Sequence, residues 1–315
     1  VSVGDGLIFV TLNGIQVREL AFNQQGALGT DQDLTELSDE ITGTGIKQIT
    51  YQQYPNKTVY MVRDDGVLVG FVRDKNNNIN AWFTRPTDGV VESVVSTRSG
   101  TNTSDPLGII VKRVIGGADI RFIERLAPIS DTNSEWVFMD SAKQVTALGG
   151  PVVNGADHLE GQTVKVMNDG AVETDKVVTG GTFTLDNTST TKLVYGLDYT
   201  AEFTTLPLRR SGSSGNSKVL PKSLSHIMLG VRQSSGGQYG YEILNDEGIV
   251  IQTVETVEPI NLATLVFGVP IAPQTRYHIL DVDGGHGREI AVRIIRNEAT
   301  PLNVTHAIPS LEVGR

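Results

Sequence analysis

The sequence predicts an all-β protein: a partial β-propeller-like meander, a small inserted β-barrel and a C-terminal β region, with one short helix. Three observations predict it. Short runs of alternating apolar and polar residues recur along the chain, the period that turns one face of a strand toward a core. Asn-Gly, Asp-Gly and Gly-Gly pairs punctuate those runs, and such residues tolerate the positive φ of tight turns. Glycine is abundant, 34 of 315 residues, whereas helical spacing of apolar residues is found in one short stretch.

Taken in order, Leu7 to Val10 and Ile15 to Leu20 flank Asn13-Gly14 and read as a hairpin on a tight turn. From Asp31 to Ile41, Leu34, Leu37 and Ile41 recur at helical spacing behind acidic residues, which predicts the one helix. Four strands follow, at Thr58–Arg63, Val67–Val72, Ile79–Phe83 and Val90–Val95, joined through Asp64-Asp65-Gly66, Asn76-Asn77-Asn78 and Thr87-Asp88-Gly89. An up-and-down meander of four strands is the unit of a propeller blade, and it also suits an open sheet or a sandwich. A hairpin about Gly116-Gly117 pairs Gly108–Val114 with Ala118–Glu124, and Trp136–Asp140 adds a strand. Residues 1–150 are expected to form this propeller-like domain.

Residues 151–207 read as the small barrel. Its strands are Thr163–Met167, Ala171-Val172 after the Asn168-Asp169-Gly170 turn, Val177-Val178, Thr182–Leu185 and Leu193–Leu197. Three lysines stand against eight acids here, a net −5 of the chain's −10. Residues 208–315 form a C-terminal β domain expected to close onto the first. Arg209 to Lys218 is a polar loop, and Ile227, Leu229 and Val231 alternate with Met228, Gly230 and Arg232. Ile249–Val254, Leu265–Phe267 and Glu289–Arg296 are the further strands expected there.

Composition narrows the function classes. A net charge of −10 leaves no basic surface to neutralise phosphates, so nucleic-acid binding by that route is not expected. The chain has no cysteine, which removes disulfides, thiolate metal sites and a cysteine nucleophile, and fits folding in a reducing cytoplasm. No apolar run approaches the ~20 residues a spanning helix needs, so no membrane insertion is expected. Phosphate-binding and dinucleotide-binding glycine motifs do not occur, and Gly212 to Gly215 lacks the spacing and setting of a serine nucleophile elbow. We expect no enzyme, no catalytic residues and no cofactor.

Two clusters could carry chemistry. His278, Asp281, Asp283 and His286 flank a Gly284-Gly285 turn and offer weak metal ligands, although a strand ending in an acidic turn explains them as well. Asp64-Asp65 and Asp88 are the acids nearest to a glycosidase pair, but each precedes a turn glycine. Two tryptophans, Trp82 and Trp136, give little stacking surface for a sugar.

Several passages together resemble the tail nozzle (tail tubular) proteins of short-tailed bacteriophages. They are Tyr51-Gln52-Gln53-Tyr54-Pro55, Val59 to Leu68, Ala81-Trp82-Phe83 and Asp88 to Val94. His158 to Val164 with Asn168-Asp169-Gly170, and Gly287 to Ile290 through Pro301 to Val304, continue the likeness in the same order. The resemblance implies a virion structural protein of the distal tail tube, assembled in the host cytoplasm. It implies a ring, commonly hexameric, around a channel for genome ejection, docked to adaptor, fibre or tip proteins. Members of the family are longer, so this chain is expected to be a C-terminal fragment with Val1 inside a propeller. On that reading the acids Asp157, Glu160, Asp169, Glu173 and Asp175 are candidates for a channel wall that lets DNA pass without sticking. The alternative is a host-surface carbohydrate recognition module of a phage tail, which a groove of exposed aromatics would mark.

Overall fold

The computed structural model describes residues 1–4, 6–22, 28–100, 104–128, 135–187, 190–209, 220–245, 248–259 and 268–313. The chain forms two compact units, Val1–Pro128 and Ile129–Arg315, each described by itself. Both are β-structured, as the alternating runs require.

The first unit is built from three antiparallel meanders. Strands β1 (Ser2–Val3), β2 (Gly6–Val10), β3 (Val17–Phe22) and β4 (Leu28–Asp33) form the first sheet in chain order. A single helical turn, α1 (Asp39–Thr42), leads to the second sheet of β5 (Ile46–Gln52), β6 (Thr58–Arg63), β7 (Leu68–Asp74) and β8 (Ile79–Arg85). The third holds β9 (Val90–Ser96), β10 (Leu107–Ile115) and β11 (Ala118–Arg125).

The three sheets stack face to face. On β6, Val59 and Met61 pack with Ile8 and Val17 of the first sheet. The alternate residues Tyr60 and Val62 pack with Val91, Val94, Leu107 and Val111 of the third. Sheet two is therefore buried on both faces, which is why β6 is apolar at nearly every position rather than alternating. Each fully buried aliphatic side chain contributes roughly 1.5–3 kcal/mol, so the stack itself is the core of the unit.

Three details correct the sequence reading. The four-strand blade lies one strand earlier: β5 joins β6 to β8, while β9 leaves for the third sheet. Gly89, at φ 135°, lets the chain turn across sheet two, where the Val94 and Ser96 amides donate to the side chains of Gln48 and Thr50 on β5. The helix shrinks to one turn because Asp31 and Asp33 belong to β4, where Arg18 pairs with both. The first hairpin forms, but on the wider loop 11–16 rather than a two-residue turn, since β2 and β3 begin pairing at Val10↔Val17.

In the second unit, β12 (Asp140–Leu148), β13 (Val152–Asn154), β14 (Thr163–Asn168), β15 (Ala171–Val172), β16 (Lys176–Val177), β17 (Thr182–Thr184) and β18 (Thr190–Leu197) make a curled half-barrel. Its core gathers Val153, Leu159, Val164, Val166, Phe183 and Tyr195. β12 pairs with β18, so residues 140–148, placed in the first domain by sequence, belong to the barrel. Trp136 to Met139 is not strand; Trp136 is buried in a small cluster with Met167 and Val194, and the strand begins at Asp140.

The rest is a two-sheet sandwich. Strands β19 (Ala201–Thr204), β20 (Lys222–Ser234), β21 (Gln238–Leu244), β22 (Val250–Pro259), β23 (Gln274–Gly287), β24 (Glu289–Arg296) and β25 (Val304–Val313) form sheets of order β19-β24-β21-β22 and β23-β20-β25. Ile227, Leu229 and Val231 of β20 meet Tyr239, Tyr241, Ile290 and Val292 across the interior, the alternation read from the sequence. The strand expected at Leu265–Phe267, and the loop 210–218, lie outside the described residues.

Candidate interaction surfaces

The four metal candidates lie along one strand and do not converge. On β23, His278 sits opposite Leu229 and His286 opposite Ser223 of β20. Those partners are six residues apart on an extended strand, about 20 Å at ~3.3 Å per residue. The glycine-rich acidic turn expected at 284–285 is absent because β23 runs on through Gly287. His278 Nε2 is 3.1 Å from Arg276 Nε, and burial, with Arg276 beside it, lowers its pKa. Asp281 and His286 are exposed, and the side chain of Asp283 is not among those described. Among the described residues no group of three His, Cys, Asp or Glu gathers at metal-binding spacing.

The five barrel acids mostly hold the barrel together. Glu160 accepts from the Gly180 and Gly181 amides at 2.9 and 2.7 Å, and so braces the turn at 179–182. Asp157 is exposed, and its carboxylate lies so close to Gly181 that no Cβ would fit there. Asp169, at φ 49° in the β14–β15 turn, accepts from the Thr191 and Lys192 amides at 2.9 and 2.7 Å. Glu173 is buried and accepts from Asn168 Nδ2 at 2.8 Å and from the Asp186 amide at 2.9 Å. Asp175 is exposed and pairs with Lys165 at 3.0 Å. The set thus braces separate turns, and of the five only Asp157 and Asp175 present an exposed charge.

The turn acids of the first unit are similarly engaged. Arg63 bonds both carboxylate oxygens of Asp65, which also caps the Val67 amide at 3.2 Å; the Arg63 bond holds the Asp65 pKa below the usual carboxylate range. A cavity of ≈ 330 Å³ is lined by Arg63, Gly66, Val67, Thr84, Pro86, Thr87 and Gly89. The one cation on its wall, Arg63, is committed to Asp65 and to the Ile41 carbonyl, so the cavity has little with which to grip an anion.

What the alternation did not disclose is the character of the outer faces of the third and first sheets, which mix apolar and charged residues. In the third sheet, Leu107, Val111, Arg113 and Ile115 point into the stack, which leaves Ile110 and Val114 on the other side. Ile110 lies opposite Ile123 of β11, and Gly108 opposite Val95 of β9. Ile123 is 89% exposed, Val114 63% and Val95 53%. Arg121, paired with Glu92 at 2.8 Å, and Lys112, paired with Asp119 at 3.1 Å, cross this face between Ile110 and Val114. At the other end, Ile8 and Val17 point inward, and Leu7, Phe9 and Leu20 share the outer face. Arg18, Asp31 and Asp33 rim that one. The signal for the first of these faces was present in the near-continuous apolar runs Ile109-Ile110-Val111 and Val90-Val91, which seek cover on both sides.

No protein-family model matches the chain, and no curated protein matches it significantly.

Three aromatic side chains are more than half exposed among the described residues: Tyr54, Phe203 and Tyr277, at 55%, 59% and 64%. They belong to three different sheets or loops, on the linker after β5, on β19 and on β23. Tyr277 makes a tilted ring contact with His306, 5.2 Å between ring centres, and His306 itself lies over Gly230.

Proposed function

We propose that this chain is a structural, ring-forming part of the distal tail tube of a short-tailed bacteriophage. The observation that carries the reading is the three-sheet stack, in which the middle sheet is covered on both faces while the third leaves Val95, Ile110 and Ile123 exposed. A stack whose last sheet leaves apolar side chains exposed is suited to assembly. The curled barrel and the sandwich that follow it on the same chain supply further rigid modules, and the ordered passages that resemble nozzle proteins span all three. In this role the chain lines the channel for genome ejection and docks adaptor and fibre or tip proteins.

The channel part of the reading is narrower than the acid count suggests. Glu173 is buried and Glu160 and Asp169 are bound to amides, so a wall that repels DNA relies on Asp157 and Asp175 among the acids singled out. The scattered positions of the exposed aromatics give the carbohydrate-recognition alternative no groove among the described residues.

The test is the mass of the purified chain over a concentration series, by light scattering coupled to size exclusion. A defined oligomer that grows in with concentration supports the reading. A strict monomer at every concentration counts against a self-assembling ring.

A further inference from the structure

In the second unit, the barrel and the sandwich are joined by three residues, Asp198-Tyr199-Thr200, between β18 and β19. Their seam is built on the turn after β24. Ala299 of that turn packs with Trp136 and Met139, which lead into the barrel, and with Met167 and Val194 of its strands. Arg296 is buried and donates to the carbonyls of Phe138 and Tyr199 at 3.2 and 3.4 Å, and to those of Glu298 and Thr300 on its own turn. Its guanidinium also lies over the Tyr199 and Phe138 rings, 4.2 and 5.8 Å from their centres.

Beside this fixed clamp, carboxylates from both modules share one ammonium. Lys165 of β14 lies 3.0 Å from Asp175 and 3.8 Å from Asp198, and Glu298, from the sandwich, feels both Lys165 and Asp198. The Glu298 carboxyl is half-buried against the β20–β21 turn, where its Oε2 and Thr300 Oγ1 fill the space a Cβ on Gly236 would need. The hydroxyls of Thr300 and Ser235 are buried there without a hydrogen-bond partner among the described residues. A protonated carboxyl can both donate to and accept from such hydroxyls, whereas a carboxylate can only accept. Burial raises the pKa of Glu298, with Asp198 adding to it and Lys165 opposing, and burial likewise raises that of Asp198.

We propose that this seam is a latch that tightens as pH falls, holding the barrel on the sandwich most firmly once Glu298 and Asp198 carry protons. Ionised, the two acids oppose the closed seam at neutral pH. That opposition lifts as pH drops through their raised values toward the ordinary carboxylate range, because the closed seam takes up protons before the open one does. Arg296 stays charged throughout and grips carbonyls, so it is the constant half of the latch. Asp175 gives Lys165 an exposed partner of its own when Asp198 is neutral. The device belongs to the second unit alone and does not depend on a ring.

The test uses the full chain, which has no cysteine of its own. Ala299→Cys places a thiol in the seam and Val166→Cys places one in the barrel core, so labelling by a pyridyl disulfide, which reacts at acidic pH, reads the opening of each. Rates are compared with those of the urea-unfolded chain at the same pH. The seam thiol should label faster than the core thiol, because the seam opens while the barrel stays folded. Its protection should rise roughly three- to tenfold between about pH 8 and about pH 5, the scale of a modestly displaced carboxyl equilibrium. Adding Glu298→Gln should bring the acid-pH protection to neutral pH and remove most of the pH dependence. Acrylamide quenching of Trp136 in a Trp82→Phe chain leaves the seam unaltered and should weaken with falling pH in the same way. Seam protection that does not change with pH, or a pH dependence that survives Glu298→Gln combined with Asp198→Asn, overturns the latch. So does a seam thiol that labels no faster than the core thiol, since barrel and sandwich would then open only together.

Discussion

Glu173 carries more of the barrel than its formal charge implies. Its carboxylate accepts from Asn168 Nδ2 at 2.8 Å and from the Asp186 and Asn187 amides at 2.9 and 3.3 Å, inside a 2% exposed site. Removing it strands three donors, so Glu173→Ala should cost about 2–3 kcal/mol in urea unfolding. Asp175→Ala breaks only an exposed pair with Lys165 and should cost less than about 1 kcal/mol. Equal losses for the two would contradict the distinction drawn between them. A second prediction concerns Glu298, whose pKa is raised by burial and, more weakly, by the nearby Asp198, with Lys165 opposing. A raised carboxyl pKa means that the ionised form weakens the fold at neutral pH. That penalty is relieved as pH falls through the raised pKa, because the folded state then binds the proton more readily than the unfolded one. The thermal midpoint of Glu298→Gln should therefore exceed that of the wild type by most at neutral pH, with the gap closing toward the ordinary carboxylate range. A gap that does not change with pH would mean burial does not raise this group. None of these environments could be read from the chain: Glu173 and Asp175 are two residues apart in one acidic stretch, and only folding separates a brace from a surface charge.

At the scale of the element, the hairpins were legible and the sheets less so. Turn chemistry is local, so Gly116-Gly117, at φ 58° and 83°, announced the β10–β11 hairpin, and Asp169-Gly170, at φ 49° and 84°, announced β14–β15. Which sheet a strand joins depends on contacts distant in sequence, and β9 shows the consequence. Its apolar run and the Asp88-Gly89 turn suit either a fourth blade strand or the first strand of a new sheet. The decision falls to Val91 and Val94, which cover the face of sheet two that Tyr60 and Val62 leave apolar. The same limit hid the metal candidates' fate, since a Gly-Gly pair reads as a turn until its strand is seen to pair on through Gly285 and Gly287 with β20. One glycine is instead demanded by a cross-strand neighbour. Gly70 of β7 lies opposite Phe83 of β8, whose ring sits where a Cβ would be and packs edge-on at 6.1 Å from Tyr60. Gly70→Ala should displace that ring and destabilise the first unit by about 1–3 kcal/mol, the range for overpacking a core. Adding Phe83→Leu should recover part of the loss in the same denaturation measurement; additive losses would place the strain elsewhere.

For the whole molecule, the question is how an acidic protein could line a path for DNA. The hydrogen bonds to Glu160, Asp169 and Glu173 do not cancel their charges, and the barrel as folded, Asp140–Leu197, carries seven acids against four lysines, a net of −3 rather than the −5 counted over 151–207. At physiological salt, however, the screening length is about 8 Å, and a passing phosphate senses mainly the charges at the surface nearest to it. Of the five acids singled out, the exposed Asp157 and Asp175 therefore contribute most to repulsion, whereas reversing Glu173 would mainly unfold the barrel. Their reversal separates a channel role from a scaffolding one. Asp157→Lys with Asp175→Lys, built into assembled particles, changes the local charge by four while leaving the amide braces at Glu160 and Asp169 intact. If this surface lines the channel, phosphates will dwell on the new lysines and genome ejection will slow, with the delay fading as salt rises because bound counterions no longer gain by release. If ejection keeps its wild-type rate at low salt in particles of normal composition, these acids face away from the DNA, and the proposed channel role of the barrel fails.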